Sequence, residues 1–240
     1  MELLRTLEMS CGELLTSFEA MSRAAMECVF RFRPQVRNPF DADVPELAIL
    51  VELTSAASTS MGVDLERILE SALAALADGD EAPLADALLG RAEESWQLRH
   101  GISDCLRDAG TVIAFDISVR RSAILALRDF MIQELRQRWP HLQVCDFGHL
   151  GDGGLHLNLV WPHDCGVPPD AATIQHVREF VYDALVRQFR GSFSAEHGVG
   201  PYNVAMYERY TAANRLAIAG DLQRLFNPDA RLGTVRFGSS

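Results

Sequence analysis

Apolar and polar positions along the 240-residue chain switch repeatedly between a period near 2 and a period near 3.6, and the switches predict its elements. Glu13–Glu19 (ELLTSFE) reads as a short strand and Met21–Phe32 as a helix. Pro34, Pro39 and Pro45 make RFRPQVRNPFDADVP a loop. Leu47–Thr54 (LAILVELT) is a buried-strand candidate, followed by the polar connection SAASTSMG. Asp64 then caps a helix that puts Leu65, Ile68, Leu69, Leu73 and Leu76 on one face, and DGDE ends it. Ala92–Asp108 fits a further helix and Thr111–Ser118 (TVIAFDIS) a strand. Ser122–Arg138 repeats the helical spacing through Ile124, Leu125, Leu127, Phe130, Met131 and Leu135, until Pro140 stops it. Leu142–Gly148 and Leu155–Trp161 are two more strands. Ala172–Arg190 is a long amphipathic helix and Gly191–Ser194 a short extended piece. Two helices close the chain before Asn227-Pro228.

The glycine-rich GDGG between the last two strands is only long enough for a hairpin, so at least part of the sheet is antiparallel. With no internal repeat, low-complexity tract or interdomain linker, residues 1–240 read as one α+β domain. Its expected architecture is an antiparallel or mixed sheet with helices packed on one face.

Composition narrows the function. Hydrophobic residues make up 48% and charged residues 23%, which is enough apolar material for a folded core and argues against disorder. All 22 basic residues are arginine, and against 33 acids they leave a net charge of −11. That balance disfavours nucleic acid or an anionic membrane surface as a partner, since both need a positive field. The absence of lysine excludes Schiff-base chemistry and a P-loop. Five scattered cysteines without a CxxC suit reduced thiols, no apolar run reaches the length of a membrane span, and MELLRTLEMS lacks a signal-peptide layout. The expectation is a cytoplasmic protein.

Three stretches carry candidate chemistry. The first is His149-Leu-Gly-Asp-Gly-Gly-Leu-His156-Leu-Asn158. A turn through the glycines brings the two imidazoles together, while His156 and Asn158 share the strand face opposite Leu155, Leu157 and Leu159. Neutral imidazoles bind zinc and other first-row divalent ions, although two ligands do not make a site. The second is Gly191-Ser-Phe-Ser-Ala-Glu196-His197-Gly-Val-Gly200. Glu196 can complete a His2Glu set with open positions, and His197 remains for acid–base work. The third is Trp96-Gln-Leu-Arg99-His-Gly-Ile-Ser103, where Arg99 and Ser103 share a helix face and can hold a carboxylate. Taken singly, each stretch also fits a plain turn or a solvated helix; the case comes from all three together.

The order GELLTSFEAMS, ILVELTS, WQLR, FDISV, GHLGDGGLHLN, GSFSAEHGVG and LQRLFNP resembles the C-terminal domain of FAD-linked oxidases over nearly the whole chain. That family includes D-lactate dehydrogenase, glycolate oxidase and D-2-hydroxyglutarate dehydrogenase. The resemblance implies a ferredoxin-like α+β substrate domain, with FAD bound mainly by an N-terminal domain absent from this chain. It implies that His149, His156 and Glu196 bind a divalent metal, zinc, and that His197 is the catalytic base. Arg99, Ser103 and Asn158 would hold a small 2-hydroxy-acid substrate. The implied reaction oxidises a D-2-hydroxy acid to a 2-oxo acid by hydride transfer to flavin, and the isolated chain is expected to be inactive. Implied partners are the substrate and the FAD-binding domain or subunit, with room for a homodimer.

The chain departs from the hydroxyglutarate-type pattern at several places. Ala114 stands where a lysine precedes the FDIS-like motif, Gly154 where asparagine usually follows GDG, and Tyr202-Asn203 near the lysine that follows HGVG. Arg120 replaces the proline after DISV, and the terminal LNP-like segment reads LGT. Two lost cations weaken the expectation of a dicarboxylate. They also motivate an alternative, a non-catalytic interaction or assembly domain with a decayed active site.

Overall fold

The computed structural model describes residues 1–40, 43–56, 62–74, 76–77, 84–233 and 235–237. Helix α1 (Glu2–Cys11) leads into strand β1 (Leu15–Ser22), helix α2 (Arg23–Phe32) and strand β2 (Leu47–Leu53). Helices α3 (Leu65–Ala74) and α4 (Ala92–Ala109) follow, then strand β3 (Gly110–Ser118) and helix α5 (Ile124–Arg138). Strands β4 (Gln143–Gly148) and β5 (Gly154–Pro162) form a hairpin, and helices α6 (Ala171–Arg187), α7 (Val204–Tyr210) and α8 (Ala213–Phe226) complete the order.

Local chemistry sets several of these boundaries. Ser22 accepts a hydrogen bond from the amide of Ala25, so α2 starts one residue after it and β1 runs longer than the apolar pattern predicts. Asp64 caps α3 through the amide of Arg67, as expected. Asp170 caps α6 through the amide of Thr173, and that helix stops at Arg187, three residues short of the predicted end. Helix α1, which the sequence reading did not assign, turns Leu4, Leu7 and Cys11 inward on one face. The predicted stop at 78–81 and most of the connection at 55–62 lie outside the described residues.

The five strands run in the order β2-β1-β4-β5-β3, and every described pairing is antiparallel. On one face Leu155, Leu157 and Leu159 of β5 join Ile113, Phe115 and Ile117 of β3 beneath α1, α3, α5 and α6. Each of these fully buried leucines contributes about 2 kcal/mol of burial free energy. The expectation of helices on one face holds for this larger cluster. Helices α2 and α4 add a second layer on the other face, over Met21, Cys145, Phe147 and Val160.

That second face also carries the polar residues. In an antiparallel sheet, paired residues point the same way, so the register Met21↔Phe147, Phe147↔His156 and Asp116↔His156 lines up one row across four strands. Its apolar half lies under α2 and α4, and its polar half opens at the turn end of the hairpin. The turn depends on Gly153, whose φ is 91°; a Cβ there would lie 2.3 Å from the carbonyl oxygen of Val119.

Candidate metal and substrate site

Two elements bring the donor atoms together. The β4–β5 hairpin carries His149 in its turn and His156 on β5, with ring centroids 5.3 Å apart. The loop after α6 is pinned to the edge strand β3 by paired backbone hydrogen bonds between Ser118 and Ser192, and it brings Glu196 and His197 over the hairpin. Oε1 of Glu196 lies 3.2 Å from Nε2 of His156 and 3.8 Å from Nε2 of His149. The three expected ligands thus offer two imidazole nitrogens and one carboxylate oxygen, all within 4.8 Å of one another.

A carboxylate lies on the far side of each hairpin histidine, in hydrogen-bond contact for His149 and at ion-pair distance for His156. His149 donates its Nδ1 proton to Oε1 of Glu19 at 2.6 Å and turns Nε2 toward Glu196. Nδ1 of His156 faces Oδ1 of Asp116 at 3.9 Å. That oxygen is buried and has no hydrogen-bond partner among the described residues. A divalent first-row ion fits this donor set, because metal-binding imidazoles are commonly oriented by a carboxylate on the far nitrogen. Burial holds the pKa of His156 below the ordinary imidazole range, with Arg99 and His149 acting the same way and Glu196 opposing them. The neutral ring that results is the form that binds metal.

His197 sits at the solvent edge. Its ring stacks on His156 at 5.9 Å between centroids, with Nε2 at 3.6 Å from Glu196 and Nδ1 at 3.5 Å from Asp116. Arg99 is only 8% exposed. It donates from Nε to Oε2 of Glu19 at 3.0 Å, Nη2 lies 2.9 Å from the same oxygen as an ion pair, and its guanidinium lies 4.5 Å above the Phe147 ring centre. Asn158 is buried beside them, its amide donating to the carbonyl of His156 at 3.3 Å. Ser103 is exposed on α4 one turn beyond Arg99, and among the described residues no hydrogen bond ties it to the histidines. Beside Ala114, where the expected lysine is missing, Arg178 of α6 donates to the backbone carbonyl at 3.4 Å.

Sequence reasoning missed Glu19 and Asp116. Both are single charged residues inside apolar strand segments, SFEAM and AFDIS. A lone acid at such a position is a signal, since a buried carboxylate needs partners.

A D-2-hydroxyglutarate dehydrogenase, mitochondrial, of Arabidopsis thaliana is 28% identical over 226 residues, covering 94% of this chain and 38% of that protein. A D-2-hydroxyglutarate dehydrogenase of Xanthomonas citri pv. viticola is 33% identical over 138 residues, covering 58% of this chain and 29% of that protein. A mitochondrial protein of Schizosaccharomyces pombe that carries a D-lactate dehydrogenase name is 25% identical over 230 residues, covering 90% of this chain and 41% of its own length. The chain therefore spans well under half the length of these relatives. The family model for the C-terminal domain of FAD linked oxidases matches residues 1–234, and the chain belongs to that family.

Proposed function

We propose that this chain is the substrate- and metal-binding domain of an FAD-dependent 2-hydroxy-acid dehydrogenase, which oxidises a D-2-hydroxy acid to a 2-oxo acid. The observation that carries the reading is the convergence of His149 Nε2, His156 Nε2 and Glu196 Oε1 beside the solvent-edge imidazole of His197. An assembly domain with a decayed site would have no reason to keep all four groups in register.

His149, His156 and Glu196 hold a divalent ion, zinc, with coordination positions left open. When bound, the metal polarises the substrate hydroxyl and FAD accepts the hydride. The chain's own residues do the rest. Arg99 keeps Nη1 for a substrate carboxylate while its other nitrogens hold Glu19, and Asn158 and Ser103 supply further polar contacts. His197 takes the hydroxyl proton as the C–H electron pair leaves and the C=O bond forms. We assign the FAD to a separate domain or subunit that packs over this face. Five free cysteines, four of them buried, favour a reducing compartment such as the cytoplasm. None of the described helices is long and apolar enough to cross a membrane.

The test combines the chain with its FAD-binding partner and screens 2-hydroxy acids with an artificial electron acceptor. Turnover is expected with at least one D-2-hydroxy acid and is lost in His197→Ala. A parent chain that takes up no zinc in titration overturns the reading.

A further inference from the structure

Asp116 stands outside the His149, His156 and Glu196 set, yet its one carboxylate meets both the loop that carries Glu196 and His197 and the ring of His156. Oδ2 accepts hydrogen bonds from three consecutive amides: Ala195 at 3.1 Å, Glu196 at 3.0 Å and His197 at 2.8 Å. Successive N–H groups converging on one anion form a nest, and charge-assisted bonds of this kind are about twice as strong as neutral ones. The amide of Ala195 also donates to the Asp116 carbonyl at 3.1 Å, so the loop is tied to both the backbone and the side chain of β3. The second oxygen, Oδ1, is buried without a hydrogen-bond partner among the described residues and faces Nδ1 of His156. The sheet register places the two side chains next to each other on one face.

We propose that Asp116 is the positioning residue of this site: its carboxylate hangs the loop that carries Glu196 and His197 from β3, and backs His156 from behind. The proposal rests on the metal-and-base reading above. Three amides bound to one oxygen set where the backbone of Glu196 and His197 lies, and hence where the third ligand and the base meet the two hairpin histidines. A neutral side chain of the same shape keeps a carbonyl acceptor but loses the charge that holds the nest. It also offers an NH2 group in place of one oxygen.

The experiment compares the parent chain with Asp116→Asn, with Asp116→Glu, and with Asp146→Asn as a control. Asp146 is also a buried strand carboxylate, but it pairs with Arg128 on the opposite face of the sheet. Three readouts are taken: amide hydrogen exchange at residues 195–197 in metal-free protein, zinc affinity by chelator competition, and the visible absorption of the cobalt(II) form. In Asp116→Asn, exchange at the three amides is expected to rise at least about tenfold and zinc affinity to fall about 10- to 100-fold. Asp116→Glu, which moves the charge by one methylene, is expected to shift the cobalt bands. Asp146→Asn is expected to leave exchange at 195–197 and the cobalt spectrum unchanged. Exchange in Asp116→Asn equal to the parent, or an unshifted cobalt spectrum in both Asp116 variants, overturns the proposal. A parent that binds neither metal overturns the metal reading instead, while the exchange result still decides whether Asp116 tethers the loop.

Discussion

Nδ1 of His149 lies 2.6 Å from Oε1 of Glu19, a contact between residues 130 positions apart in the chain. The same carboxylate receives Arg99 on its other oxygen, so Arg99, Glu19 and His149 form one line from α4 through β1 to the hairpin turn. Replacing the carboxylate by its amide should loosen both ends of that line. In Glu19→Gln, zinc affinity is expected to fall about 10- to 100-fold, measured by chelator competition. Equal affinity in parent and variant would show that His149 needs no such partner.

His197 is expected to separate chemistry from metal binding. It is the most exposed of the four site groups, with 68% of its side chain accessible. In the reconstituted enzyme, His197→Ala should lower kcat by about 10²- to 10⁴-fold, the usual range for a general base. Zinc stoichiometry, measured by elemental analysis, should stay that of the parent. His156→Ala should lose both.

Gly153 gives a test that touches no ligand. Its positive φ and the 2.3 Å approach to Val119 leave no room for a methyl group. Gly153→Ala is expected to cost about 1–3 kcal/mol in chemical denaturation. Because His149 and His156 flank this turn, zinc affinity should fall as well.

The loop that follows the site is anchored further along by α7. The Tyr210 hydroxyl donates to Asp183 of α6, and Arg209 and Arg187 also reach that carboxylate. The Tyr210 bond is the largest cause holding the Asp183 pKa below its ordinary value of 3.8, burial opposes it, and the two arginines assist. A depressed carboxyl stabilises the fold fully above the unfolded pKa, and that contribution disappears as pH falls through the lower folded value. Tyr210 itself is pushed up to about 12, by burial first and then by Asp183. Its neutral form is therefore favoured in the folded state, and stability drains as pH rises from about 10 toward 12. Thermal melts of Tyr210→Phe against pH should show a smaller loss than the parent at both extremes, on a lower plateau between them.

Most strands and helices were legible because their burial follows a single period. The Leu155-Leu157-Leu159 face of β5 and the α5 stripe through Leu127, Met131 and Leu135 are buried as the pattern predicts. Helix α1 carries the same signal in Leu4, Leu7 and Cys11, at helical spacing on one buried face. The histidines and Glu196 were legible because glycines mark the turns that deliver them. Glu19 and Asp116 were not, because their roles arise from pairings that no local window contains. Asp116 meets His156 through the β3–β5 register, and Glu19 meets Arg99 across 80 positions. The same pairing explains the surroundings of Arg99. A helical arginine reads as a surface group reaching for ligand, and only the fold shows that much of its fork is already engaged by a buried acid.

Glu196 and His197 are neighbours on one loop, while His149 and His156 belong to one hairpin. The proposed metal thus bridges two bodies rather than sitting inside one. A displacement of the loop that opens the coordination shell carries the proton acceptor away in the same movement. The third ligand and the base are therefore set by one tether, and the three amide bonds to Asp116 hold both in place before any ion or hydroxy acid enters.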